Sequence, residues 1–137
     1  MDRRSAFETG TELKAARITT DPVLQEPEAE YFASLLLDRF EGDAELLREV
    51  VGLFLNDCPA RLSHVRDAVG QRDSATLAQA AHSLKGSVAN FGADLAVAAA
   101  QRLELMGCAG DWAEVEQALT ALETEIENLT SALQAFA

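Results

Sequence analysis

The residues best placed to do chemistry lie in one short run, His82-Ser83-Leu84-Lys85-Gly86-Ser87, with Gly92 ten residues after the histidine. Imidazole is partly neutral near pH 7, so one ring nitrogen is a nucleophile without a strong base beside it. Lys85 follows three residues later, one helical turn on. The chain has only two lysines, the other being Lys14, so a cation beside this histidine stands out in a protein of net charge −12. A cation there would stabilise an anion attached to the ring. Gly86 is also out of place for a purely structural helix, where it costs about 1 kcal/mol relative to Ala. One turn from His82 on the same face, its missing side chain uncovers the imidazole. Other chemistries lack their residues. No glycine-rich phosphate cradle precedes a helix, and there is no His-Glu-x-x-His, Cys-x-x-Cys or Glu-x-x-His. Cys58, His64, His82 and Cys108 have no ordinary zinc spacing. No Ser or Cys sits in a nucleophile motif.

These residues need a helix to hold them, and the pattern predicts one over about 74–91. On a helical projection Leu77, Ala80, Leu84, Val88 and Phe91 form an apolar face pointing away from His82. Ala75, Ala78, Gln79, Lys85, Gly86 and Ala89 fall on the histidine's side, so His82 is expected on an outward face among mostly small neighbours. Ala75, Ala78 and Ala89 read either as good helix formers or as a flat patch on which a partner lies close to the ring.

The surrounding elements are also helical. Tyr31, Phe32, Leu35, Leu36 and Phe40 predict a first short helix ending near Glu41-Gly42. Asp43 is a good N-cap for a long segment with Leu47, Val50, Val51, Phe54, Cys58, Leu62, Val65 and Val69 in unbroken phase. Pro59 lies inside it, and the phase favours one kinked helix over two. Gly70 is expected to end it, with Asp73 or Ser74 capping the next. Asp94 opens a helix with a small surface (Ala96, Val97, Ala99, Ala100, Leu103), ended by Gly107 and Gly110. Asp111 is expected to cap a last helix carrying Trp112 through Phe136. Loops of two to four residues make neighbours antiparallel. The expected fold is all-α, an up-down antiparallel four-helix bundle with an extra short N-terminal helix. Residues 1–28, with scattered apolar residues and two prolines, read as a flexible tail, and 29–137 as the domain. Trp112 and Phe136 read as core, Cys58 and Cys108 as small buried hydrophobes, and His64 as a surface histidine.

Composition bounds the function. The 137 residues suffice for one domain, and 48% apolar content argues against wholesale disorder. Acids outnumber bases 23 to 11, which argues against nucleic acid and anionic membrane surfaces as partners. Residues 111–137 hold six acids and no base, a solvated face that can reject wrong partners. Two cysteines cannot staple a fold, and no apolar stretch is long enough to span a membrane or serve as a signal peptide. A cytoplasmic, soluble, monomeric protein is expected.

The run His82-x-Leu84-Lys85-Gly86 followed by Gly92 resembles the histidine-containing phosphotransfer (HPt) family of two-component phosphorelays. Phe54-Leu55-Asn56-Asp57-Cys58-Pro59 is similar to the family's Phe-Leu-x-Asp-x-Pro run. Asp73, Leu77, Ala80 and Ala81 are similar to its approach to the histidine, and Leu103-Glu104 and Gly107 to the helix that follows. The resemblance spans about residues 30–135. It implies that His82 is phosphorylated, that Lys85 sits near the phosphoryl group and that Gly86 leaves room for the partner. Some members place a glutamine beside the ring where this chain has Glu104. A carboxylate would orient a neutral ring but repel its phosphate, and Gln101 or Gln79 could serve instead. The implied function is relay of a phosphoryl group between His82 and aspartates of response-regulator receiver domains, with hybrid histidine kinases as further partners. The chain would carry no kinase activity and no cofactor of its own, Mg²⁺ being held by the partner receiver. Two other readings compete: a helical scaffold that binds receivers or kinases without carrying phosphate, and the phosphoacceptor region of a histidine kinase. The latter has an acid after the histidine and a proline five residues on, where this chain has Ser83 and Ser87.

Overall fold

The computed structural model describes residues 26–136. The expected tail therefore lies almost wholly outside the described residues. Five helices follow in order: α1 (Glu26–Arg39), α2 (Ala44–Gln71), α3 (Ser74–Ala89), α4 (Asp94–Ala109) and α5 (Val115–Leu133), closed by a 3-10 turn, Gln134–Phe136. α1 begins ahead of residue 29, the expected start of the domain. Pro27 falls in its first turn, where a missing N–H leaves no hydrogen bond unmade. α2 packs on α3 and α5, and α4 packs on the same two helices, so α2 to α5 close a ring of four. Val51, Val65, Leu77, Leu84, Leu103, Leu122 and Leu129 are fully buried in the core of this ring, and Leu36 of α1 joins the same core.

Several ends are set by the residues the sequence singled out. Asp43 accepts the Leu46 N–H at 2.9 Å, and Asp73 accepts the Thr76 N–H at 3.2 Å and its hydroxyl at 2.8 Å. Each carboxylate satisfies a first-turn donor that has no partner inside its helix. α2 remains one element through the exposed Pro59.

Other ends differ from expectation. Gly70 stays inside α2, and the chain turns at Arg72, which adopts φ 54°. That conformation costs a non-glycine residue roughly 1–2 kcal/mol. The side chain offsets it: Arg72 Nη1 donates to Val69 O at 2.7 Å, and its guanidinium lies 5.4 Å from the centre of the Trp112 ring. Gly107 does not end α4 either. It lies buried within the helix, and α4 stops at Gly110, whose φ is 65°. α5 starts at Val115, so Trp112 precedes it; Asp111 instead accepts the Ala113 N–H at 3.1 Å in a turn of the connection. That connection spans residues 110–114, longer than the two to four expected. Trp112 and Phe136 are half-buried against the core rather than inside it, and Cys108 is exposed because it lies just off the buried Gly107 face. Cys58 is buried, and burial pushes its thiol pKa up.

α1 crosses the end of the bundle where α3 finishes. Phe32 meets Phe136 edge-on at 6.3 Å, and Phe40 lies 6.5 Å from Phe91. α3 has no basic residue in its own last turn. Arg39 of α1 supplies one, donating from Nη2 to Ala89 O at 3.0 Å and from Nε to Asn90 O at 3.3 Å. A cation there complements both the unpaired carbonyls and the negative end of the helix dipole.

Candidate functional site

α3 turns its apolar residues inward as its spacing requires: Leu77, Leu84 and Val88 are fully buried and Ala80 nearly so, as is Phe91 just past the helix end. His82 therefore faces out, with 68% of its side chain exposed. Its position is not loose, because α3 lies against α4 at unusually short range. A Cβ on Gly107 would come within 2.7 Å of Ala78 N and 3.0 Å of Ser74 O, so only glycine lets the two backbones meet. This close seam brings Glu104 of α4 up to the histidine.

Glu104 bridges two residues of α3. Its Oε2 lies 2.9 Å from His82 Nδ1, and its Oε1 lies 2.7 Å from Lys85 Nζ. The hydrogen bond from Lys85 leads the causes that hold the Glu104 carboxyl below the usual carboxylate range, and the bond to His82 adds to it. An ionised carboxylate has only acceptors, so the neutral imidazole must carry its proton on Nδ1 and donate it to Glu104. The lone pair is then on Nε2, the nitrogen free to act as a base or a nucleophile.

Gly86 and Gly107 differ in a telling way. A Cβ on the exposed Gly86 would meet nothing within 4 Å. The fold gives no packing reason for glycine there, although it gives a strict one at 107. Ala75 and Ala89 are exposed beside the ring, but Ala78 is taken up by the seam with Gly107 and does not belong to an open patch. Gln79 and Gln101 are both exposed, and the ring's bond goes to Glu104.

Two arginines near this helix have no forewarning in the sequence. Arg61 of α2 donates from Nη1 to Ser83 Oγ at 2.6 Å, placing a guanidinium next to the residue that follows the histidine. Arg39 holds the end of the same helix. Both depend on the register between helices distant in sequence, which no local pattern records. His64 is exposed on α2, as its helical setting suggested.

A model of one family, described as the Hpt domain, matches residues 49–132. The chain belongs to the Hpt family. The match takes in nearly all of α2 to α5, and α1 with its Arg39 lies outside it. Hpt domains carry out histidine phosphotransfer in two-component signalling; they are carriers rather than kinases, and they interact with receiver and kinase proteins. Neither curated proteins nor solved structures gave a match. No helix among the described residues is long and apolar enough to cross a membrane.

Proposed function

We propose that this Hpt chain relays a phosphoryl group between His82 and aspartates of receiver domains, passing it in either direction. The observation that carries this reading is the exposed imidazole whose Nδ1 is engaged by Glu104 at 2.9 Å, leaving Nε2 as the nucleophile. In the forward step the Nε2 lone pair attacks the phosphorus of an aspartyl phosphate. The N–P bond forms as the P–O bond to the aspartate breaks, and the electron pair leaves on that carboxylate. The metal and the acidic cluster for this transfer belong to the receiver.

Lys85 has two partners available to it. In the resting chain its ammonium is paired with Glu104 at 2.7 Å. A phosphoryl group on Nε2 competes for that ammonium, and its greater charge favours a shift of Lys85 toward it. Gly86 keeps the approach to the ring clear, which accounts for a glycine that packing does not require. Cytoplasmic location and a monomeric state remain part of this reading.

The test is transfer from a phosphorylated receiver domain to this chain and to its His82→Gln variant, with receiver binding measured for both. Wild type should gain an acid-labile, base-stable phosphoryl group. The variant should bind without gaining one. Binding by both without transfer to either would favour a scaffold that carries no phosphate.

A further inference from the structure

Glu104 brings a negative charge to the ring. A carboxylate beside a histidine repels a phosphoryl dianion carried on the ring, as a neutral amide does not. Following the proton resolves this. When the neutral ring attacks through Nε2, its other nitrogen still bears the proton given to Glu104. The phosphorylated ring is therefore formed as an imidazolium, with its positive charge against the carboxylate. If that proton stays, reversal returns the N–P electron pair to Nε2 and the leaving group is neutral imidazole. If it is lost, the leaving group must be an imidazolate anion, which departs far less readily.

Resting on the phosphotransfer reading, we propose that Glu104 keeps the phosphorylated ring of His82 in its cationic form, so that the N–P bond stays easy to break. His82 then works as a fast two-way carrier rather than a long-lived store. The geometry is specific to this role. Glu104 touches the ring at the nitrogen that is not attacked, at 2.9 Å, and its other oxygen is held by Lys85 at 2.7 Å. The carboxylate is only 19% exposed, held between the ring and the ammonium. The remaining charged groups in this part of α3 are Lys85 on the helix itself and Arg61 from α2, which donates to Ser83. Both are cations and disfavour a charged ring. Glu104 is the one group among these that favours it. An amide at this position would serve differently: its oxygen can accept from a protonated Nδ1 and its N–H can donate to a bare one, so it gives no preference for the cation.

The test uses the full chain in a His64→Gln background, which leaves His82 as the only histidine, with and without Glu104→Gln. Both are phosphorylated chemically with phosphoramidate, so that no receiver is involved. The protonation of the phosphorylated ring is then followed by nitrogen NMR against pH, together with the rate of N–P hydrolysis. An opposite charge at hydrogen-bond distance favours the protonated ring. The Glu104→Gln ring should therefore lose its proton at a lower pH than its parent, and over the pH range in which only the parent ring is protonated its phosphoryl group should last longer. In acid, where both rings are protonated, the two hydrolysis rates should converge. Coincident titration midpoints would overturn the proposal. So would a lifetime gain of the same size at every pH, because that is the mark of simple repulsion. Circular dichroism of both variants establishes that the comparison is between folded chains. A failure of receiver transfer would instead count against the relay reading, which this measurement does not touch.

Discussion

At the scale of single residues, the two glycines beside the site show how surroundings set the sign of a substitution. Both sit inside helices, where a larger residue is favoured over glycine by roughly 1 kcal/mol of propensity. At Gly107 that gain is overwhelmed, since a Cβ would lie 2.7 Å from the backbone of Ala78 and overpacking of this kind costs about 1–3 kcal/mol. At Gly86 nothing opposes it, because no atom beyond the adjoining backbone of its own helix lies within 4 Å of the new carbon. Gly86→Leu should therefore leave thermal stability unchanged or slightly raised while slowing phosphotransfer by crowding the ring. A melt and a transfer time course on the same sample check both halves. A destabilised variant, or one that transfers at the wild-type rate, would remove the access role given to this glycine. His82, Lys85 and Gly86 were legible in the sequence because type, spacing and helical face are local properties. Glu104 was visible by position only. That its carboxylate bridges ring and ammonium follows from how closely α4 lies on α3.

At the scale of elements, α3 was readable because an apolar face at helical spacing leaves one orientation for the rest of the helix. Asp43 and Asp73 were readable as caps because a short acceptor before a helical run has few other uses. What misled were signals with two meanings. Glycine can end a helix or let two helices touch, and Gly107 does the second. An aspartate can cap a helix or close a turn, and Asp111 does the second, with Ala113. Arg72 takes a left-handed turn that would ordinarily fall to glycine, and its support comes from Trp112, forty residues away in sequence. The α3–α4 seam gives the sharpest element-level expectation. Gly107→Val should push the helices apart, lower the unfolding midpoint by about 1–3 kcal/mol equivalent and lengthen the His82–Glu104 contact. Denaturant unfolding measures the first, and the ring's proton signal the second. A variant as stable as wild type would mean that the seam is looser than the structure shows.

At the scale of the whole molecule, the acidic balance is spread over carboxylates that respond to acid in opposite ways. Glu104 has its pKa lowered, first by Lys85. Its contribution to stability is present above the ordinary carboxylate range and is lost as pH falls through the folded value. Glu125 on α5 is the reverse. Its Oε1 is buried without a hydrogen-bond partner, and burial raises its pKa. It weakens the fold while ionised, and that penalty disappears as pH falls through the raised value. Glu125→Gln should therefore be more stable than wild type at neutral pH, with the gap closing in acid. Thermal unfolding of both chains between pH 4 and 8, about the range over which perturbed carboxylates titrate, measures it. A gap that widened in acid would contradict the assignment. Other carboxylates tie the ring of helices together at its surface, as Glu123 does with Arg66 at 2.6 Å and Glu114 with Arg102 at 3.1 Å. Exposed pairs of this kind contribute about 1 kcal/mol or less each. The bundle is held by its core.

The central claim is that the Nε2 atom of His82 takes the phosphoryl group while Nδ1 keeps its bond to Glu104. The most direct measurement is NMR of the chain labelled with ¹⁵N in its histidines, after transfer from a phosphorylated receiver domain. Phosphorus coupling to Nε2 of His82, with the Nδ1 proton still present, is the expected result. Phosphorus on Nδ1, on His64 or in an acid-stable ester would contradict the account.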